Sequence, residues 1–224
     1  MVEAGAAQCV LGNHEYNAIA WATPDRMRPG RFLRDHDAPG NRSLHQGFLD
    51  EIGEGSQCHR AILAWFMSLP LWLDFGGVRV VHACWHQLSI DALKPLLAPN
   101  QSMTEDVLRM SCQKGHWVQE AVGIVCKGPE IGSMSSTPQD DYGELPQDVR
   151  LRWWHTDESA AAQPRRTRYC GPPVIFGHYW FAGEPAVISP KFACLDYSVA
   201  SDGPLVAYSW DGESELSSEK IVWV

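Results

Sequence analysis

The sequence predicts an α/β (α+β) domain whose functional residues lie at the ends of strands. Helical periodicity dominates the earlier part of the chain, whereas short apolar strands separated by turns follow Pro172. Several of the predicted strands are followed at once by polar side chains, which is typical of sites in α/β proteins. The length of 224 residues suits one domain.

The first elements alternate between apolar periodicity and turn residues. The apolar run 8–11, closed by Gly12, predicts a short strand that ends in a tight turn. Residues 23–40 contain three prolines and two glycines, so a long loop at the surface or beside a pocket is expected there. Pro70 ends the last helix before the first hairpin. Helices are predicted over 16–21, 43–52, 58–67, 89–97, 104–110 and 117–125.

The predicted strands are short and lie mostly in the later part of the chain. Gly76-Gly77 separates the apolar runs 71–75 and 78–81, a pattern that predicts a hairpin. Residues 127–147 are rich in Gly, Pro, Ser and Asp, and we expect a second long loop there. Later strands are predicted over 174–176, 186–188, 192–195, 205–208 and 221–224.

Charge and hydropathy exclude some partners and locations. Lys and Arg number 18 against 27 Asp and Glu, so the net charge is −9, which disfavours a nucleic-acid duplex or an anionic membrane as partner. The most apolar stretch, 61–73, is broken by Ser68 and Pro70 and is too short to span a bilayer. No secretory signal follows Met1. We expect a cytoplasmic protein.

The seven cysteines favour a reducing environment. Their number is odd and no Cys-x-x-Cys pair occurs, so we expect reduced and mostly buried thiols. Cys112 and His116 lie four residues apart and are candidates for zinc ligands. Because a zinc site needs two more ligands at workable spacing, a structural role is favoured for this pair.

Three histidines share one local pattern. Each of three histidines follows a short apolar run. His82 comes directly after its run, His178 two residues after and His14 three residues after. A single histidine after a strand is usually a structural group that caps backbone atoms. Three of them, at strand ends that can meet at one edge of a sheet, favour a metal site.

The residues around these histidines resemble the motifs of a known family. The segment Val10-Leu11-Gly12-Asn13-His14-Glu15 is similar to the Gly-Asn-His-Glu/Asp signature of the calcineurin-like metallophosphoesterases. Val80-Val81-His82-Ala83 and Ile175-Phe176-Gly177-His178 resemble the two later histidine motifs of that family, in the same order. The similarity covers most of the chain. It is strongest to the branch of serine/threonine phosphoprotein phosphatases and bacterial diadenosine tetraphosphatase-like enzymes.

The resemblance implies a fold and a set of ligands. The fold would be a metallophosphoesterase-type β-sandwich of two mixed sheets flanked by helices, a single domain over 1–224. Asn13, His82 and His178 would bind one divalent ion of a dinuclear site, with Mn, Fe, Zn or Co as the candidate metals. His14 would be the general acid or would stabilise the leaving group. The reaction would be hydrolysis of a phosphoester by metal-bound hydroxide.

The resemblance also implies a phosphate-binding arginine. Arg150 and Arg152 fall between His82 and His178, where that branch often places one, and Arg152 is the preferred candidate. Surface solvation is the alternative for both. The expected partner is a phosphorylated substrate: a phosphoprotein, a dinucleoside polyphosphate or a small phosphomonoester.

The chain departs from the family before Gly12. The Asp-x-His and Gly-Asp-x-x-Asp motifs, which supply the other ion's ligands and the bridging carboxylate, do not occur. We therefore expect that N-terminal strand–helix units of roughly 60 residues are missing. The alternative is a non-catalytic pseudoenzyme or interaction domain that retains the fold.

Overall fold

The computed structural model describes residues 1–2, 4–130, 151–154 and 169–224. Within these ranges the protein is a mixed α/β structure with six α-helices, a four-stranded mixed sheet and a two-stranded antiparallel sheet. The helices are α1 (Asn13–Ala22), α2 (Asn41–Ile52), α3 (Gln57–Ser68), α4 (Gln87–Leu93), α5 (Glu105–Ser111) and α6 (Trp117–Lys127). The strands are β1 (Trp72–Asp74), β2 (Arg79–Val81), β3 (Val174–Phe176), β4 (Phe192–Cys194), β5 (Val206–Tyr208) and β6 (Ile221–Trp223).

Local chemistry explains where several helices begin and end. The Ser56 hydroxyl accepts a hydrogen bond from His59 N at the start of α3, and Thr104 accepts one from Val107 N at the start of α5. The helix predicted over 89–97 ends earlier, at Leu93. Pro95 lies in the 3-10 turn that follows it, where its ring cannot continue the α-helical ladder.

The four-stranded sheet brings three strand ends to one edge. The hairpin predicted around Gly76-Gly77 is confirmed, because β1 and β2 pair antiparallel with Trp72 opposite Val81. β2 pairs parallel with β3, and β3 pairs parallel with β4. The carboxyl ends of β2, β3 and β4 therefore lie at the same edge of the sheet.

The main core lies between this sheet and the helices. Leu71, Val81 and Val174 of the sheet region pack with Leu93 and Val125 of α4 and α6, and all five are at most 1% exposed. Burial of such aliphatic side chains contributes about 1.5–3 kcal/mol each. A second, smaller cluster lies at β5–β6. It consists of Tyr197, Val206 and Ile221, with Phe181, Val187, Leu195 and Tyr208 packed against it.

Two predicted strands do not form, and the second sheet differs from the prediction. Residues 8–11 are not a strand, because Leu11 N donates to Pro70 O but no ladder continues from that bond. Residues 186–188 form no strand either. Pro185 and Pro190 flank them, and Ile188 N closes a turn onto Phe192 O.

The two-stranded sheet is antiparallel rather than mixed.

The two predicted loops differ in how much of them is described. Residues 23–40 contain turns, bends and one isolated bridge between Pro24 and Phe32, and no helix or strand. The loop predicted over 127–147 begins as α6 ends, since Lys127 is the last helical residue. Residues 131–147 of that prediction lie outside the described residues.

The cysteines are less buried than predicted. Cys84, Cys126 and Cys194 are buried and Cys112 is half-buried, whereas Cys9, Cys58 and Cys170 are exposed. No disulfide bond joins any of the seven. None of the helices in the described ranges combines the length and the apolar character that a bilayer crossing requires.

Candidate metal centre

Two of the three predicted histidines meet at the carboxyl edge of the sheet. His82 is the first residue after β2, and His178 is the second residue after β3. Because β2 and β3 are parallel neighbours, the two residues follow strand ends that lie side by side. Their ring centroids are 5.2 Å apart. Gly177 N donates to His82 O at 2.9 Å, which joins the two strand ends by a backbone hydrogen bond.

Asn13 reaches the same edge from a different element. It is the first residue of α1, and the bond from Leu11 N to Pro70 O places the preceding segment beside the hairpin. The Asn13 side chain is only 1% exposed. Its Oδ1 lies 2.9 Å from His82 Nε2, although the two residues are 69 positions apart in sequence. The structure therefore brings Asn13, His82 and His178 together, as the motifs predict.

This geometry fits a bound divalent ion. Asn13 Oδ1 and His82 Nε2 form a hydrogen bond at 2.9 Å, and two ligand atoms at right angles around an ion, each about 2.1 Å from it, would lie about 3 Å apart. Burial, with a smaller contribution from His14, lowers the pKa of His82 to about 4. His82 is therefore neutral at pH 7, and neutral imidazole is the form that binds metals.

Gly12 is required for the close approach of these groups. A Cβ at this position would lie 2.6 Å from Glu15 Oε2 and 2.8 Å from His82 Cε1, both closer than real Cβ contacts allow. The Glu15 carboxylate instead accepts a hydrogen bond from Gly12 N at 3.1 Å and holds the start of α1. Glycine in the Gly-Asn-His-Glu segment thus has a packing reason in this chain.

Asp196 is a positioning residue that the sequence analysis missed. It lies two residues beyond β4, the third of the parallel strand ends. Its Oδ2 accepts a hydrogen bond from His178 N at 2.9 Å, and its Oδ1 accepts one from Ser198 N at 3.1 Å. The His178 backbone is left-handed, with φ of 72°, which costs of order 1 kcal/mol or more for a non-glycine residue. Asp196 holds this strained turn in place.

His14 lies next to Asn13 in the chain but in a different environment. It is the second residue of α1, directly after the buried Asn13, and its own side chain is exposed to solvent. Its charge contributes to the lowered pKa values of both His82 and His45, which places its imidazole within electrostatic range of both. An exposed imidazole beside the ligands has access to a bound molecule.

Arg152 is exposed, and its neighbours fix its segment beside the site. Trp153 Nε1 donates to the carbonyl of Ala83, the residue after His82, at 3.0 Å. The Trp154 ring packs edge-on against Tyr179, the residue after His178, with centroids 4.5 Å apart. For the part of the chain that the structure describes, no hydrogen bond or ion pair links the Arg152 guanidinium to the three ligands. Arg150 lies outside the described residues.

The described side chains offer no carboxylate that completes a metal cluster. No group of three His, Cys, Asp or Glu residues within them is arranged to hold an ion. The pair Cys112 and His116 does not form a zinc site. Cys112 Sγ lies 3.3 Å from the Tyr16 hydroxyl, and His116 Nδ1 caps α6 by accepting from Val118 N. The described site therefore comprises one amide and two imidazoles.

Comparisons with known proteins find no relative of this chain. The chain matches no protein-family model, no curated protein and no solved structure.

Proposed function

We propose that the chain is a calcineurin-like metallophosphoesterase domain, of β-sandwich type, in which Asn13, His82 and His178 hold one divalent ion. The observation that carries this proposal is the convergence of the three residues from separate elements, with Asn13 Oδ1 and His82 Nε2 2.9 Å apart. The order of the motifs along the chain supports the same family. Mn, Fe, Zn or Co suits this mixed oxygen and nitrogen donor set.

The reaction class that this site supports is hydrolysis of a phosphoester bond. A divalent ion, when bound, supplies charge that polarises a phosphoryl oxygen and lowers the pKa of water. His14, exposed beside Asn13, donates a proton to the departing oxygen of the substrate. Arg152, on the segment that Trp153 anchors to Ala83, binds a phosphate oxygen. Asp196 keeps His178 in its strained turn throughout.

A second candidate function is a non-catalytic interaction domain that retains a single ion site. The absence of a third His, Cys, Asp or Glu in the cluster, within the described residues, favours this candidate. Two closely spaced ions need a bridging carboxylate to offset their mutual repulsion. One amide and two imidazoles bring no negative charge, so an ion held by them alone binds weakly.

Calorimetric titration with Mn²⁺ tests the ion site. We expect about one ion per chain, bound weakly, because the described ligands suffice for one ion only. His178→Ala should weaken this binding about tenfold or more, because it removes a direct ligand. His116→Ala is the control, since it removes a histidine that only caps α6. Equal binding by wild type and His178→Ala would exclude the proposed ligand set.

Hydrolysis of p-nitrophenyl phosphate and diadenosine tetraphosphate, with added Mn²⁺, separates the two candidate functions. If the phosphoesterase proposal is correct, the wild type releases product in a reaction that depends on Mn²⁺. His178→Ala should abolish this release, and His14→Ala should slow it. A chain that binds Mn²⁺ through His178 yet hydrolyses neither compound is the interaction domain. Hydrolysis that persists in His178→Ala would contradict the proposed site.

A further inference from the structure

A second concave site lies between α1 and α6, away from the three proposed ligands. It is a cavity of about 780 Å³, a volume within the range of small-molecule sites. Tyr16, Asn17 and Ala20 of α1 form one wall, and the later turns of α6 form the other. Asn13, His82 and His178 are not among its lining residues.

The cations and the acids of this cavity lie at different depths. Arg34 and Lys127 are half-buried in its lining, whereas Asp35, Glu120 and Glu130 are exposed. The acidic groups are therefore more accessible to water, which screens their charges, than the two cationic groups are.

Lys127 is the cation that is available to a ligand. It forms neither an ion pair nor a hydrogen bond with any described residue. Burial raises the pKa of Cys126, and the Lys127 charge opposes that rise. Burial also raises the pKa of Cys112, and the Lys127 charge again acts to lower it. Lys127 and both cysteines belong to the lining of the cavity.

The remaining lining combines apolar and hydroxyl-bearing side chains with the polar groups of Asn17, Asn41, His116 and Gln119. Leu33 and Ile124 offer aliphatic surface, and the Tyr16 ring is half-buried. The Tyr16 hydroxyl is already engaged with Ser111 Oγ at 3.0 Å and with Cys112 Sγ at 3.3 Å, which fixes the orientation of its ring. An apolar body with one anionic group complements such a lining.

We propose that the cavity between α1 and α6 binds a small organic anion, with Lys127 contacting its charged group and Tyr16, Leu33 and Ile124 contacting its apolar body. This site needs neither a bound metal ion nor the proposed hydrolytic activity.

A fluorescent probe with these two features tests the proposal. 1-Anilinonaphthalene-8-sulfonate carries a sulfonate on an aromatic body, and N-phenyl-1-naphthylamine is its neutral counterpart. We expect the sulfonate probe to bind saturably, at about one site per chain. Lys127→Met should weaken that binding about tenfold, the usual scale for one charged hydrogen bond, and leave the neutral probe's binding unchanged. Lys94→Met, an exposed lysine outside the lining, is the control.

A pair of glycine variants locates the site. Gly123 lies within α6 in the cavity lining, and a Cβ there would meet no atom within 4 Å. Gly123→Leu should project a side chain into the cavity and weaken saturable binding without lowering thermal stability, because glycine is unfavourable inside a helix by about 1 kcal/mol. Gly47→Leu is the matched control, since Gly47 lies in α2 with equally open space and lines no part of the cavity.

Two results would overturn the proposal. Unchanged affinity for the sulfonate probe in Gly123→Leu would place its binding elsewhere on the surface. Equal affinity of wild type and Lys127→Met would show that the site does not recognise the anionic group. If the sulfonate probe binds at numerous weak sites and none of the four substitutions changes that binding, its binding likewise lies elsewhere on the surface.

Discussion

Two histidine pairs in this molecule lie in contrasting surroundings. His82 and His178 follow parallel strands, and an amide oxygen of Asn13 lies 2.9 Å from His82. His45 and His59 belong to α2 and α3 and are 8% and 3% exposed. The neighbours of His45 and His59 include the aromatic rings of Trp21 and Phe48, and His59 Nδ1 accepts a hydrogen bond from Gly55 N at 3.1 Å.

The contrast shows that burial alone does not make a histidine a ligand. The pKa of His45, like that of His82, is lowered to about 4, chiefly by burial. The imidazoles differ in the groups that surround them. At the sheet edge the neighbours are an amide oxygen and a carboxylate-supported turn, whereas His45 contacts the rings of Trp21 and Phe48. We interpret the sheet-edge pair as functional and the helical pair as structural.

The largest effect on stability is expected from the pH dependence that His45 confers. Burial, Arg34 and His59 lower the pKa of His45 in the folded protein, so the unfolded chain takes up a proton first as the pH falls. The contribution of neutral His45 to the free energy of unfolding is complete above about pH 6.5 and is lost as the pH falls toward 4. The loss is about 3 kcal/mol in the free energy of unfolding.

Urea unfolding between pH 7 and pH 4 measures this effect. His82 acts in the same direction, so the wild type loses stability through both groups. His45→Phe should lose about 3 kcal/mol less than the wild type over this interval. The readout is the change with pH, because the substitution also alters packing against Trp21 and Phe48. The same loss in both proteins would contradict a buried, neutral His45.

A smaller effect is expected when the support of the sheet-edge pair is removed. Asp196→Ala deletes the acceptor for His178 N and should weaken Mn²⁺ binding about 10- to 100-fold, the usual cost of losing a group that positions a metal ligand. Asp196→Asn keeps an oxygen acceptor and should restore most of the affinity. Titration calorimetry gives both values. An affinity in Asp196→Ala equal to that of the wild type would remove Asp196 from the site.

The smallest effect is expected at the cap of α3. Ser56→Ala removes the acceptor for His59 N and should lower the free energy of unfolding by about 1 kcal/mol. Mn²⁺ affinity should not change, because His59 belongs to the structural pair. Urea unfolding and titration of the same variant test both statements. A loss of Mn²⁺ binding would show that the two histidine pairs are coupled.

Patterns of local sequence predicted the elements that local chemistry specifies. Gly76-Gly77 specified the β1–β2 hairpin, and the apolar faces specified the helices. The run 8–11 failed as a strand because a strand needs a continuous ladder with a neighbour, and Leu11 makes only one such bond. The run 186–188 failed because flanking prolines removed donors from a possible ladder.

The candidate site was predicted from strand ends, and the same rule could have found more of it. Residues after β2 and β3 were singled out, but Asp196, two residues after β4, was not considered as a site residue. The left-handed backbone of His178, which Asp196 supports, has no signal in a single sequence. The position of Arg152 between two motifs is its only signal in the sequence, and the contacts of Trp153 with Ala83 and of Trp154 with Tyr179, which hold its segment beside the site, cannot be read from sequence spacing.

The most direct test of the metal centre is anomalous diffraction from crystals of the chain soaked in Mn²⁺. We predict an anomalous peak about 2.2 Å from Asn13 Oδ1 and from His82 Nε2, adjacent to the His178 imidazole. The peak should disappear in crystals of His178→Ala. Anomalous density elsewhere in the molecule, with none beside Asn13 and His82, would contradict the assignment of these three residues as metal ligands.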